Sequence, residues 1–190
     1  MVQAEIWKNP IVEGYYADPE ARFYEGKYWI YVTHSTAFPQ QKNLSAFSSE
    51  DLINWECHEN IVDMTDFPWV WGAVWAPTII ERNGKYYLIF ATNDIHSDEE
   101  PGGLEIAVAD SPAGPFAYYG FVKNPDGSVF TKNITFDPGV LNDDGRIWLY
   151  YGWSLAFPPE TLAERTPELE EKLVQVQVEL FSKSEDEVRN

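Results

Sequence analysis

Two aspartates of this sequence, Asp18 and Asp137, stand directly before a proline at equivalent points of a repeated pattern. Trp75 precedes the corresponding point of another copy, where Ala76 replaces the acid. Hydrolysis of a glycosidic bond requires two carboxyl groups across a cleft, because one activates water or attacks and the other protonates the leaving oxygen. An aromatic surface beside them suits the apolar face of a sugar ring. The pattern therefore favours glycosidase chemistry at these aspartates.

A purely structural explanation is open for each of these residues taken alone. An aspartate before a proline can cap a turn, because the residue before proline is pushed towards extended conformations. Trp75 can equally belong to an ordinary core. The recurrence of Asp18 and Asp137 at the same register of separate copies favours a functional role.

The pattern that contains these residues occurs three times, in residues 17–32, 75–90 and 136–151. In each copy a proline precedes a predicted short strand, a glycine comes seven positions after the proline, and a basic residue and an aromatic-rich run follow. The period is about sixty residues, and repeats of regular length indicate an architecture of stacked units.

Each copy predicts a β-hairpin. Its turns are Glu25-Gly26, Asn83-Gly84 and Asp144-Gly145, where glycine supplies the positive φ of a tight turn. A further strand is predicted at residues 44–49 and again at 104–110, with a fourth, weaker strand after each. Four antiparallel strands in a unit are typical of a β-propeller blade. A β-sandwich of short strands is the alternative, but it does not explain a fixed turn at a fixed interval.

We therefore predict an all-β protein, a β-propeller of which this chain supplies about two and a half blades. Propellers close with roughly four to eight blades, so we expect the missing blades to come from a second polypeptide or to have been lost. Residues 1–157 would form the N-terminal blades of the catalytic domain. Residues 158–190 are acidic, with apolar residues at helical spacing, and predict a helical insertion or tail.

The charge and cysteine content limit the partners and the location. The sequence has 31 acidic and 13 basic residues and a formal net charge of −18, which argues against nucleic acid or an anionic membrane as a partner. Cys57 is the only cysteine and forms no internal disulfide, and the first residues lack the apolar run of a signal peptide. We therefore expect a cytoplasmic protein.

Other candidates for sugar contact are weaker. Phe38 and Trp71 lie in predicted loops at the rim of the channel. His34 ends the second strand of the first hairpin, at the predicted channel end, and Asn93 ends the equivalent strand of the second hairpin. We expect no required cofactor, and the acidic loops lack the spaced ligands of a calcium site. An axial calcium stays an open alternative.

Three motifs make this sequence similar to glycoside hydrolase family 43: Tyr16-Ala17-Asp18-Pro19-Glu20, Trp75-Ala76-Pro77 and Phe136-Asp137-Pro138-Gly139-Val140. The resemblance covers about residues 9–153. It implies a five-bladed propeller glycosidase of the β-xylosidase, α-L-arabinofuranosidase or arabinanase type, which inverts the anomeric configuration.

The resemblance also implies roles for single residues. Asp18 would be the general base that activates water, Asp137 the carboxylate that tunes and orients the general acid, and Trp75 part of the sugar-binding wall. The family's general acid is a glutamate at the head of a later blade's inner strand. No glutamate after Asp137 has that setting in this sequence.

The predicted function is an inverting exo-glycosidase that hydrolyses β-xylosidic or α-L-arabinofuranosidic bonds in short pentose oligosaccharides, with a glutamate outside this chain as general acid. Cytoplasmic location favours exo action on short chains, because intact xylan or arabinan would not enter a cell. A non-catalytic carbohydrate-binding or interaction propeller is the alternative. The sequence leaves the choice between xylose and arabinose open, because the selecting contacts belong to blades that it does not contain.

Overall fold

The computed structural model describes residues 9–37, 40–93, 100–130 and 135–153, which belong to one compact unit. The strands of these residues form three antiparallel sheets. The first sheet contains, in spatial order, β1 (Tyr16–Tyr24), β2 (Lys27–His34), β3 (Leu44–Ser49) and β4 (Glu56–His58). The second contains β5 (Val74–Arg82), β6 (Lys85–Thr92), β7 (Gly103–Ala109) and β8 (Ala117–Phe121). The third contains β9 (Thr135–Asp143) and β10 (Arg146–Trp153).

Each sheet begins with a hairpin whose two turn residues both have a positive φ. In the first hairpin φ is 51° at Glu25 and 79° at Gly26. Asn83-Gly84 and Asp144-Gly145 repeat this geometry. Two successive positive φ values are typical of a type I′ turn, whose twist matches that of the paired strands. The three predicted hairpins are therefore confirmed.

The repeated prolines lie inside the first strand of each sheet and not before it, which corrects the sequence-based prediction. The residue before each proline has a positive φ, 52° at Asp18, 49° at Ala76 and 49° at Asp137. The pairing between the two hairpin strands shifts register at each of these points, so each is a β-bulge. The expectation of an extended residue before proline is wrong at all three, because the bulge turns the backbone into the left-handed region.

Apolar packing holds neighbouring sheets together. The larger cluster lies between the first and second sheets and includes the fully buried Tyr31, Phe67 and Phe90. A smaller cluster joins the second and third sheets and includes Leu104 and Val140. Full burial of such side chains contributes about 1.5–3 kcal/mol each. The sheets are therefore repeats that are stabilised by stacking on their neighbours.

The described residues contain two complete four-stranded meanders and the first hairpin of a third, as predicted. They are all-β apart from a 3₁₀ turn at Met64–Asp66. Closure of a propeller ring and a count of five blades stay predictions, and the predicted helical segment at 158–190 lies outside the described residues. No helix within those residues combines the length and the apolar character needed to cross a membrane.

Candidate active site

The three bulges meet at one open cavity of about 230 Å³. The cavity is lined by Asp18, Pro19, Glu20, Ala76, Pro77, Asp137 and Pro138. The bulge at Ala76 forms without a carboxylate, so this backbone conformation does not require an aspartate. A left-handed residue other than glycine costs roughly 1–2 kcal/mol, and such strain is typical of functional sites.

The two carboxyl groups of the cavity have different surroundings. Asp137 as a whole residue is exposed. Its carboxyl group is partly desolvated, and this effect and, second, the negative charge of Asp18 raise the pKa of that carboxyl. The Asp18 Oδ2 atom accepts a hydrogen bond from Thr33 Oγ1 at 2.8 Å. The structure therefore brings the two predicted aspartates into one site and gives each a distinct environment.

A polar network joins the three sheets beside this cavity. The carboxylate of Glu20 forms an ion pair with the Arg22 guanidinium, and its Oε1 atom accepts a hydrogen bond from Thr78 Oγ1 at 2.9 Å. Arg22 also donates to the main-chain oxygens of Ile79 at 3.3 Å and Val140 at 3.1 Å. The Val140 N–H in turn donates to Thr78 Oγ1 at 3.2 Å. These bonds tie the three bulged strands to one another.

Sequence patterns do not single out Glu20 or Thr78, because isolated polar residues are common in strands. The signal that identifies them is their position, since each directly follows the repeated proline. Gly139 occupies that position in the third copy. A comparison of the three copies position by position therefore finds two polar residues at a point that the fold brings together.

Trp75 and His34, both predicted to contact sugar, lie on strands that lead to the bulges. Trp75 is partly buried beside Ala76, and its Nε1 atom donates to Gln41 Oε1 at 2.6 Å. The His34 ring stacks on Tyr16, with ring centroids 5.4 Å apart. Neither side chain is among the described residues that line the cavity. Their contact with a sugar stays a prediction.

Asn93 directly follows β6 and makes four hydrogen bonds to neighbouring loops. It is 4% exposed, and its Oδ1 atom accepts the backbone N–H groups of Trp71 and Gly72, each at 2.9 Å. Its Nδ2 atom donates to the carbonyl oxygens of Trp69 at 3.3 Å and Pro101 at 2.8 Å. These four bonds use the donors and acceptors of a side-chain amide. Asn93 therefore holds the loop that carries Trp71, and its contact with a sugar hydroxyl stays a prediction.

The same loop is held by a buried acid. Glu105 is fully buried, and its Oε1 atom accepts hydrogen bonds from Trp69 Nε1 at 2.8 Å and from Thr92 Oγ1 at 2.7 Å. Burial raises the pKa of Glu105 despite these two bonds. Trp71, at the other end of the loop, is 48% exposed and stays a candidate for sugar contact.

The structure leaves two of the predictions untested. Phe38 lies outside the described residues. Within those residues, no three His, Cys, Asp or Glu side chains come together as a metal-binding group. The axial calcium considered from the sequence therefore has no ready-made ligand cluster in the part of the chain that is described.

The described residues thus belong to the class of stacked β-sheet repeats, with carboxylates at two of three equivalent bulges. The family model described as glycosyl hydrolases family 43 matches residues 7–186. This chain belongs to that family, as the three sequence motifs imply.

Two curated relatives show how much of the family's length this chain contains. The chain is 37% identical over 165 residues to a protein named β-D-galactofuranosidase xynD from Aspergillus niger. It is 31% identical over 158 residues to a protein named xylosidase/arabinosidase 43A from Humicola insolens. The matches cover 78% and 75% of this chain but 46% and 45% of the relatives. The chain thus spans less than half the length of these relatives.

Solved structures give the same picture. A β-xylosidase/α-arabinofuranosidase of family 43 from a compost microbial metagenome, in complex with xylotriose, matches with a TM-score of 0.59 and 30% identity. A family 43 enzyme from Xanthomonas citri, complexed with xylose, matches with a TM-score of 0.61 and 28% identity. The matches cover 76% and 75% of this chain and 44% and 42% of those chains.

Proposed function

We propose that this chain supplies the water-activating part of the active site of an inverting glycosidase. Asp18 is the general base, which takes a proton from the water that attacks the anomeric carbon. Asp137 tunes and orients a general acid, a glutamate outside this chain, which protonates the departing oxygen. The observation that carries the proposal is the convergence of Asp18 and Asp137, from separate sheets, on one cavity.

The surroundings of the two carboxyl groups support this division of roles. Asp18 accepts a hydrogen bond from Thr33 at one carboxylate oxygen. This bond orients the carboxylate, and a general base must be held within hydrogen-bond reach of the proton that it takes. The pKa of Asp137 is raised first by partial burial and second by the negative charge of Asp18. The same two effects would favour the protonated form of a glutamate brought to this site, and a general acid must carry a proton before it can donate one.

The proposed substrates are β-xylosides and α-L-arabinofuranosides, cleaved from the end of short oligosaccharides. The names of several relatives support these two sugars. Exo action rests on the predicted cytoplasmic location. Because the relative from Aspergillus niger is named a β-D-galactofuranosidase, β-D-galactofuranosides are a second candidate class.

We further propose that a second polypeptide supplies the remaining blades of a five-bladed ring. Among the described residues no strand pairs with the outer edge of β10. Large apolar side chains on β9 and β10 are between 39% and 59% exposed. These residues are Leu141, Trp148, Tyr150 and Tyr151. A further blade would pair with the edge and cover these side chains.

Purification tests the second polypeptide directly. Gel filtration and intact-mass measurement of the native material should find this chain together with a companion that carries a hairpin-linked glutamate. A stable monomer of 21.8 kDa without a companion would contradict the proposal.

The catalytic proposal is tested in that assembly with aryl β-xylosides, α-L-arabinofuranosides and β-D-galactofuranosides. Asp18→Asn should lower kcat by roughly 10²–10⁴-fold, the contribution of a general base. Asp144→Asn is the matched control, because Asp144 also has a positive φ, 47°, but lies in the hairpin turn away from the cavity. A near wild-type rate for Asp18→Asn would refute the assignment of the base.

The alternative is a non-catalytic carbohydrate-binding or interaction propeller. It is favoured if no companion is found and no aryl glycoside is hydrolysed, while calorimetry shows that the chain binds xylotriose. Loss of that binding in Asp18→Asn and Asp137→Asn would then locate the sugar at the same cavity.

A further inference from the structure

Thr33 links the candidate base to the neighbouring sheet. It lies on β2 and is 2% exposed. Its Oγ1 atom is 2.8 Å from the Asp18 Oδ2 atom and 2.8 Å from the Ala76 backbone nitrogen. One buried hydroxyl thus bridges two of the three bulges that meet at the cavity.

The chemistry of the partners sets the direction of both bonds. A backbone N–H can only donate, so the Ala76 amide donates to the Thr33 oxygen. The single hydroxyl proton of Thr33 is then available for Asp18, whose ionised carboxylate can only accept. Fixing the Oδ2 atom of Asp18 also fixes the plane of the carboxylate and the direction of its other oxygen.

The other two sheets have no hydroxyl at the equivalent position. Thr33 pairs with Ala17, directly before the first bulge. Ala91 pairs with Trp75 in the second sheet and Gly152 pairs with Phe136 in the third. Among the three bulges, only the one that contains Asp18 therefore has a hydroxyl at this position. The bulges of Ala76 and Asp137 lack it.

We propose that Thr33 is a positioning residue for Asp18, which holds one oxygen of the carboxylate so that the other meets the attacking water. The inference rests on the proposed function for its catalytic consequence, but not for its geometry. The Ala76 amide takes part because its N–H occupies a lone pair of the Thr33 oxygen and so helps to fix the position of the hydroxyl. The bulge that carries no acid thereby contributes its backbone to the orientation of the acid in the neighbouring bulge.

Three variants test this in the assembly that hydrolyses aryl glycosides. Thr33→Val removes the hydroxyl at similar size, and we expect kcat to fall by roughly 10–100-fold, within the range of a misplaced catalytic group, with little change in KM. Thr33→Ser keeps the hydroxyl and should recover most of the rate. Thr65→Val is the matched control, because it removes a Thr–Asp hydrogen bond, 2.6 Å from Thr65 Oγ1 to Asp63 Oδ1, at an exposed turn.

The split between kcat and KM is a readout that simple destabilisation would not produce. A destabilised protein loses active molecules and is not rescued by a hydroxyl alone, whereas a positioning defect lowers kcat at similar KM and is rescued in Thr33→Ser. A Thr33→Val protein with unchanged kcat would overturn the proposal.

A measurement on this chain alone separates failure of the inference from failure of the proposed function. Amide hydrogen exchange at Ala76 should be at least about 10-fold faster in Thr33→Val than in wild type, because the amide loses its acceptor. A crystal structure of the variant should show the Asp18 carboxylate in a new orientation. If exchange and orientation are both unchanged, the positioning role is wrong, whether or not the wild type is an enzyme.

Discussion

The negative charge of Asp18 raises the pKa of Asp137, although the two residues belong to different sheets. Partial burial is the larger cause of the shift and the charge of Asp18 is the second. Because both residues line one cavity, removal of the Asp18 charge should lower the pKa of Asp137.

Asp18→Asn removes the charge and keeps the side-chain size. We expect the pKa of Asp137 to fall towards, but not to, its ordinary value, because the effect of burial remains. A carboxyl-carbon NMR titration of the chain measures this. Asp144→Asn, at an exposed turn, should leave the pKa of Asp137 unchanged. If Asp137 titrates identically in Asp18→Asn and wild type, the two carboxyl groups do not interact.

Arg22→Met tests the network that joins the three sheets. The substitution removes an ion pair with Glu20 and donors to two main-chain oxygens, so we expect a loss of about 1–3 kcal/mol in the free energy of unfolding. Arg22→Lys should recover little, because one ammonium cannot reproduce a planar fork of donors. Urea denaturation measures both.

The control for Arg22 is Lys85→Met, which breaks the exposed ion pair between Lys85 and Asp110. Exposed pairs contribute little, so this variant should unfold close to the wild-type midpoint. Equal losses for Arg22→Met and Lys85→Met would show that the network does not hold the sheets together.

Glu105 should make stability depend on pH. Its pKa is raised above the ordinary value of 4.5 by burial, so between 4.5 and the raised value the folded chain binds more protons than the unfolded chain. Stability therefore falls as pH rises through that window. Glu105→Gln should remove this fall, as measured by urea denaturation over a pH series. Glu13→Gln, at an exposed position, should keep it, and an unchanged pH dependence in Glu105→Gln would contradict the assignment.

Ala76→Gly tests the backbone strain at the bulge. Glycine adopts a positive φ without the cost paid by alanine, roughly 1–2 kcal/mol. Ala91→Gly is the matched control, because Ala91 is also buried but lies in a strand with no positive φ. We expect Ala76→Gly to be more stable than Ala91→Gly by about 1 kcal/mol or more in thermal or urea unfolding. The reverse order would show that Ala76 is not strained.

The hairpins and the number of units are predictable from sequence because they depend on local chemistry. Gly26 and its two counterparts supply the positive φ that the turns need, and the aromatic-rich runs after them form strands. The pairing of Asp18 with Asp137 is predictable because a repeat places equivalent residues at equivalent points.

Residues that act between units are harder to predict. The bulges contradict the local preference of a residue before proline, since tertiary packing imposes the left-handed conformation at Asp18. The roles of Thr33 and Asn93 depend on backbone groups of distant segments, and no local pattern encodes such a contact. Alignment of the three copies provides the missing signal for Thr33, because only one copy has a hydroxyl there.

Three side chains of the first sheet that donate hydrogen bonds to later segments have a common type of acceptor. Arg22 and Tyr24 donate to the carbonyl of Ile79 and Tyr31 donates to that of Pro112, all main-chain oxygens. A carbonyl is present whatever side chain its residue bears. The accepting unit can therefore diverge in sequence, or be exchanged for another unit of the same backbone, without loss of these bonds. Mutational tolerance at these three bonds is thus asymmetric, whereas the bond from Thr78 to Glu20 restricts the side chains on both sides of the junction.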